Sequence, residues 1–188
     1  MTTSSLALTH MSLARKNSER KSNSWIRTQL IDDAARFIPI WQGDYLFSDT
    51  ELVQFSAKEL NVTTEPLVSN CYFLGMDNLS DGAVFIVDFS SMFADQAQLI
   101  NHLAKYYSQA AASIEIKAFR ASLARLDKHL AANLAYGRAL ALWHQSAKFC
   151  GHCGSNTIVE EAGHSRGCNN EGCQKQLFPR TDPVVIML

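Results

Sequence analysis

The chain has 188 residues, 47% of them apolar, and a formal net charge of -1 from 17 lysines and arginines against 18 acidic residues. This length and apolar content suit one ordinary domain and a small additional module. The near-neutral charge argues against attraction to DNA or to an anionic membrane surface. No apolar run approaches the ~18 to 20 residues that span a bilayer, so we expect no membrane association.

The first 24 residues differ from the rest in composition. They are rich in Ser and Thr, carry four basic residues between positions 15 and 21, and contain no acid before Glu19. A secretory signal is excluded because there is no hydrophobic h-region, whereas a mitochondrial transit peptide and a disordered leader both fit. We therefore expect 1–24 to lie outside the fold. The expected location is cytoplasmic, or mitochondrial if 1–24 is a transit peptide.

Residues 25–146 are predicted to form an N-terminal domain that begins with strands. Short apolar clusters separated by turn residues indicate a β-meander. Asp81-Gly82, between the last two clusters, is typical of a hairpin. The clusters are 37–41, 45–47, 52–55, 72–76 and 83–89.

The second half of this domain changes to a helical period. Apolar residues spaced by three and four predict helices over 95–112 and 126–145. Asp127 stands where a carboxylate suits a helix N-terminus. Gly137 inside the second helix costs about 1 kcal/mol relative to Ala, which predicts a close packing contact there. Strands followed by helices define an α+β fold class.

Four of the five cysteines lie between positions 150 and 173, while Cys71 stands alone in an apolar cluster and is expected to be buried. CxxC followed by CxxxxC, in a segment with little apolar content, predicts a zinc ribbon over 147–178. Four thiolates fill the tetrahedral shell of Zn²⁺, so the site is predicted to be structural and not catalytic. The predicted ligands are Cys150, Cys153, Cys168 and Cys173.

Two alternatives to a four-thiolate site remain open at this point. A redox CxxC pair would need a thioredoxin-like βαβ context, which the sequence lacks. His152 or His164 could replace a cysteine, although both are expected to be exposed loop residues. The complex would carry a charge of about -2, which nearby basic residues, Arg166 among them, could offset.

The segment after the ribbon begins with a rigid linker at 178–183. A continuous apolar run follows at 184–188, typical of a strand buried on both faces. The sequence stops there, so we expect a further domain, of which 179–188 is the start.

Four segments now stand in a characteristic order: GRALALWH at 137–144, KFCGHCG at 148–154, the cysteine pair of 168 and 173, and FPRTDPVVIML at 178–188. In this order they resemble the NADH pyrophosphatases of the Nudix superfamily, and the match covers about 118–188. The resemblance implies an N-terminal α+β domain, a zinc ribbon and a C-terminal Nudix α/β/α sandwich. It also implies hydrolysis of the pyrophosphate of NADH or NAD⁺ to nicotinamide mononucleotide and AMP with Mg²⁺ or Mn²⁺. Members of the family are commonly homodimers, and some remove NAD caps from RNA.

The sequence departs from this family because it contains no Nudix box, the motif whose carboxylates bind the catalytic metal. Mg²⁺ or Mn²⁺ is therefore expected only in a complete Nudix domain, no catalytic residue is assigned, and the 188-residue chain alone is predicted to be inactive. The resemblance places Phe178 at a substrate-binding position, where an aromatic ring can stack on a base. Phe178 could instead fill the junction between ribbon and Nudix domain.

The leading hypothesis is thus the N-terminal and zinc-ribbon part of an NAD(H) diphosphatase, with RNA as a partner only when NAD-capped. A non-enzymatic zinc-ribbon adaptor and a regulatory dimer partner are the alternatives.

Overall fold

The computed structural model describes residues 8–60, 65–106 and 114–180. Within these residues the chain forms a six-stranded sheet and a separate three-stranded sheet, together with α-helices. The predicted α+β class is confirmed. The strand predicted at 184–188 lies outside the described residues.

The elements have the following bounds. The large sheet contains β1 (Arg36–Trp41), β2 (Asp44–Ser48), β3 (Glu51–Leu52), β4 (Cys71–Met76), β5 (Ala83–Asp88) and β6 (Ile114–Lys117). The small sheet contains β7 (Thr157–Glu160), β8 (Ser165–Cys168) and β9 (Gln176–Leu177). The helices are α1 (Asn23–Leu30), α2 (Ala57–Leu60), α3 (Glu65–Ser69), α4 (Gln96–Leu103), α5 (Phe119–Ser122) and α6 (Lys128–Ser146).

The large sheet is not the predicted meander. Its order is β3-β2-β1-β5-β4, with β6 on the other side of β2, and β1 runs parallel to β5. Four of the five clusters were correctly predicted as strands, whereas the cluster at 52–55 contributes only Leu52 to β3. Apolar alternation carries no information about which strand pairs with which. The hairpin expected at Asp81-Gly82 is confirmed, since β4 and β5 pair antiparallel on either side of that turn.

The two faces of the large sheet bury separate apolar cores because neighbouring residues of a strand point in opposite directions. Phe37 and Phe85 lie on one face, with their rings stacked 5.2 Å apart. Ile38 and Ile86 lie on the other face, which helix α6 covers. The ribbon docks beside α6.

Helix α6 agrees closely with the predicted helix at 126–145. Asp127 caps it, since one carboxylate oxygen accepts hydrogen bonds from the backbone N–H groups of His129 and Leu130 at 2.8 and 3.1 Å. The close contact expected at Gly137 is present: an added Cβ would lie 2.6 Å from Cγ1 of Ile86.

Helix α4 is shorter than the helix predicted over 95–112. Asp95 caps its first turn, and the helix ends at Leu103. Part of the predicted span, 107–112, lies outside the described residues.

Residues 8–24 lie against the N-terminal domain, whereas 1–24 had been expected to lie outside it. Ala14 exchanges two backbone hydrogen bonds with Met76 at the end of β4, at 2.9 and 2.8 Å. Gly75 allows this approach, because a Cβ there would lie 2.7 Å from Cβ of Leu13. Ser12 also bonds to the Asn133 side chain on α6.

Candidate metal centre

The four predicted cysteines come together at one end of the small sheet. Two of them stand in the turn that follows α6, one ends β8, and one closes the turn before β9. Their sulfur atoms all lie within 4.8 Å of one another. The cluster consists of Cys150, Cys153, Cys168 and Cys173.

Each half of the cluster is shaped by a tight turn. In the first half, Gly154 has a φ of +74° and its N–H donates to the carbonyl oxygen of Cys150 at 2.8 Å. A glycine suits this left-handed conformation because it has no Cβ. In the second half, the N–H of Cys173 donates to the carbonyl oxygen of Asn170 at 2.9 Å, while the N–H of Asn170 points at Sγ of Cys168 at 3.4 Å.

The sulfur geometry fits a tetrahedral ion. Sγ of Cys153 lies 3.4 Å from Sγ of Cys168, and Sγ of Cys150 lies 3.9 Å from Sγ of Cys173. A zinc ion with Zn–S bonds of ~2.3 Å needs sulfur–sulfur edges of about 3.8 Å. The four cysteines could therefore hold a zinc ion, and a four-sulfur shell leaves no position for substrate or water.

The electrostatics of the cluster also favour a bound cation. Hydrogen bonds from Ser155 lower the pKa of Cys153 to about 6. The backbone N–H of Asn170 favours the thiolate of Cys168, but burial and the neighbouring cysteines outweigh it and raise that pKa to about 12. Four thiolates this close cannot all ionise unless a cation offsets their repulsion.

Neither histidine considered as a replacement ligand belongs to the cluster. His152 lies exposed in the first turn, as expected. His164 had also been expected to be exposed, and that prediction was wrong. It is buried, with Nε2 donating to the carbonyl oxygen of Phe73 at 2.7 Å. Its Nδ1 therefore carries the lone pair that accepts from the Tyr136 hydroxyl at 2.9 Å.

A second polar contact between the ribbon and α6 was also not predicted from the sequence. His144 is buried on α6, and its Nε2 donates to the carbonyl oxygen of Gly163 at 2.8 Å. Arg166 on β8 then donates to Nδ1 of His144 at 2.8 Å and to Thr157 at 2.7 and 2.9 Å. Helical spacing was the sequence signal that could have indicated burial of His144, because this residue follows Leu140 by four positions and lies on the same apolar stripe.

The structure also shows where Cys71 and Phe178 lie. Cys71 is buried in β4, as expected, and burial raises the pKa of its thiol. Phe178 follows β9 and is 56% exposed. Its assignment to substrate binding stays a prediction.

Within the described ranges, none of the helices is both long and apolar enough to cross a membrane.

Comparison with known proteins gives matches over part of the chain. No family model matches it. Nudix hydrolase 19, chloroplastic, of Arabidopsis thaliana is 55% identical over 51 residues, which are 27% of this chain and 12% of the relative. NAD-capped RNA hydrolase NUDT12 of Homo sapiens is 39% identical over an alignment of 72 residues, which covers 35% of this chain and 16% of the relative. The protein of the same name from Macaca fascicularis matches with the same identity and coverage.

These relatives confirm the resemblance over the matched residues, where the chain is homologous to Nudix hydrolases. The chain spans between 12 and 16% of the length of these curated relatives.

Proposed function

We propose that this chain forms the N-terminal and zinc-ribbon part of an NAD(H) diphosphatase. The proposed reaction is hydrolysis of the pyrophosphate of NADH or NAD⁺ to nicotinamide mononucleotide and AMP, with NAD-capped RNA as a further substrate. The observation that carries this proposal is the four-cysteine cluster, in a chain 39 to 55% identical to Nudix hydrolases over its matched residues.

The proposed division of labour follows from the chemistry of the cluster. Four sulfurs around zinc leave no open coordination position, so the metal would hold the ribbon together and take no part in hydrolysis. Mg²⁺ or Mn²⁺ would act only in a complete Nudix domain, since clustered carboxylates would bind these hard cations, which would neutralise the pyrophosphate under attack by water.

The proposed domains are 25–146, a ribbon at 147–178 and the start of a Nudix domain at 179–188. Two buried polar contacts support a fixed position of the ribbon on the N-terminal domain: His164 bonds to Phe73, and Arg166 bonds to His144. A fixed ribbon would set the orientation of whatever follows residue 178. Phe178 is exposed at that junction and would be free to contact a base, and the complete enzyme is proposed to be a homodimer.

A segment exchange tests this proposal. The 72 residues of human NUDT12 that match this chain would be replaced by the corresponding residues of this chain. We expect the chimera to hydrolyse NAD-capped RNA within about tenfold of the unmodified relative, because a homologous ribbon should seat the catalytic domain in the same way.

The matched control is the same chimera carrying Cys150→Ser and Cys168→Ser. It should lose zinc and most of its hydrolytic activity, because the ribbon depends on the metal to fold. A folded, zinc-loaded chimera with no hydrolysis would contradict the proposal. That result would favour the zinc-ribbon adaptor or the regulatory dimer partner, and binding of the isolated chain to an intact relative would separate these two.

A further inference from the structure

A polar cavity lies between the C-terminal end of α6, the large sheet and the ribbon. Its volume is about 580 Å³, within the ~300 to 1,000 Å³ typical of small-molecule sites. None of the four clustered cysteines lines it. The cavity is therefore separate from the candidate metal centre.

One wall of the cavity carries a buried positive charge. Arg166 is 9% exposed, and its guanidinium donates three hydrogen bonds, two to Thr157 and one to His144. All three acceptors are neutral, since burial lowers the pKa of His144 to about 4. A guanidinium has five N–H groups, so one on each terminal nitrogen is left to bind another acceptor. Among the described ion pairs none involves Arg166.

A second cation lines the same cavity. Lys148 is exposed and takes part in none of the ion pairs found in the described ranges. Two cations without a carboxylate partner suit a dianionic group better than a singly charged one.

A second wall of the cavity, from the large sheet, carries a buried carboxylate. Asp88 ends β5 and is 4% exposed. One of its oxygens accepts from the N–H and the hydroxyl of Ser90, and the other accepts from the Gln145 amide at 3.1 Å. These donors are all neutral. The carboxylate lies at the carboxyl ends of the parallel pair β1 and β5, the position at which ligands usually bind to parallel sheets.

Tyr72 also lines the cavity. Its ring stacks on His144 at 3.9 Å, and the charges of both Asp88 and Arg166 act on its hydroxyl. Asp88 and Arg166 are not within ion-pair distance of each other, so each charge faces the cavity with part of its bonding capacity unused.

We propose that this cavity binds a phosphorylated sugar, the class that includes the ribose phosphate of a mononucleotide. The phosphate lies at Arg166 and Lys148, and the sugar hydroxyls donate to the carboxylate of Asp88. A simple anion would leave Asp88 facing a like charge, and an apolar ligand would leave both walls without partners. A ligand with its phosphate at one end and hydroxyls at the other satisfies both walls.

Binding of ribose 5-phosphate to the 188-residue chain in zinc-containing buffer, measured by titration calorimetry, tests this site. Inorganic phosphate and ribose are the separate probes for the two walls. We expect ribose 5-phosphate to bind at least about tenfold more tightly than either probe, because only it uses both walls.

Two variants assign the walls. Lys148→Gln should weaken ribose 5-phosphate and inorganic phosphate by about fivefold to tenfold each. Asp88→Asn should weaken ribose 5-phosphate by about tenfold while leaving inorganic phosphate unchanged or slightly tighter. The matched controls are Lys175→Gln and Asp33→Asn, which lie outside the cavity and should bind like the parent.

The proposal is overturned if ribose 5-phosphate shows no saturable binding at millimolar concentration, or if it binds no better than inorganic phosphate. Unchanged affinity in Lys148→Gln would also overturn it, and this exposed substitution does not threaten the fold. The assay does not depend on hydrolysis of any dinucleotide, so its outcome is independent of the proposed function.

Discussion

His164 of the ribbon donates a hydrogen bond from Nε2 to the carbonyl oxygen of Phe73 in the large sheet, at 2.7 Å. The two residues are 91 positions apart in the chain. Burial lowers the pKa of His164 to about 4, and the nearby positive charge of Arg20 adds to the effect. The imidazole is therefore neutral in the folded protein at pH 7, and the contact connects ribbon docking to pH.

The first prediction is that acid weakens the fold through His164. The unfolded histidine has a pKa near 6.5, so below that pH the unfolded state binds a proton that the folded state excludes down to about pH 4. Stability from this group is complete above about pH 6.5 and falls with decreasing pH, by about 2 kcal/mol at pH 5. Urea unfolding at pH 7, 6 and 5 measures the total loss, to which buried His144 contributes in the same way, and a variant separates the part due to His164.

The variant His164→Gln isolates the effect, because glutamine keeps a donor for Phe73 but does not titrate. The stability gap between parent and variant should shrink by about 2 kcal/mol from pH 7 to pH 5. His129→Gln, at an exposed position of α6, is the control for loss of an imidazole. A gap that stays constant over this range would contradict the prediction.

The second prediction concerns Gly137 in α6. Alanine there would bring Cβ to 2.6 Å from Cγ1 of Ile86 and 3.0 Å from the Tyr45 hydroxyl. Overpacking should outweigh the gain in helix propensity, so we expect Gly137→Ala to lower the free energy of unfolding by about 1 to 3 kcal/mol. In Gly151→Ala the new methyl meets nothing within 4 Å, and thermal unfolding should show little change. Equal stability of the two variants would show that the helix can move away from the sheet.

Local features of the sequence were enough to predict α6 and the cysteine cluster. The apolar spacing and Asp127 located the helix to within two residues of its observed ends. Prediction of the cluster needed only two short motifs and the distance between them in the chain. A hairpin can bring such motifs together whatever the rest of the chain does.

The docking of the ribbon and the parallel pairing of β1 with β5 were not predictable in this way. Both features depend on residues that are distant in the chain. In the docking of the ribbon, His164 contacts Phe73, 91 positions away, and Arg166 contacts His144, 22 positions away. In the sheet, Ile40 of β1 pairs with Asp88 of β5. A polar residue in a loop looks exposed in sequence unless its buried partner is known, which explains the wrong expectation for His164.

The third prediction concerns catalysis by the isolated chain. The 188 residues contain no Nudix box, the motif whose clustered carboxylates would bind the Mg²⁺ that neutralises a pyrophosphate under attack. We expect no release of nicotinamide mononucleotide from NADH with Mg²⁺ or Mn²⁺, measured by chromatography against an intact NADH pyrophosphatase. Measurable release of nicotinamide mononucleotide by the purified chain would contradict this expectation.

The fourth prediction is that zinc binding depends on the four clustered cysteines together. The double variant Cys150→Ser, Cys168→Ser should lose tight zinc binding at pH 7, because two hydroxyls replace two thiolates. Cys71→Ala is the matched control, since Cys71 is buried in β4 outside the cluster and should leave the zinc content unchanged. Atomic emission after dialysis measures the zinc content, and stoichiometric zinc in the double variant would exclude the proposed ligand set.

The proposed architecture depends most on the four cysteines acting as one closed zinc site. X-ray absorption at the zinc edge of the purified chain tests this directly. We expect one zinc per chain, surrounded by four sulfur atoms at about 2.3 Å and by no nitrogen or oxygen ligand. A shell with two or fewer sulfur atoms, or with a bound water, would contradict a structural four-thiolate site.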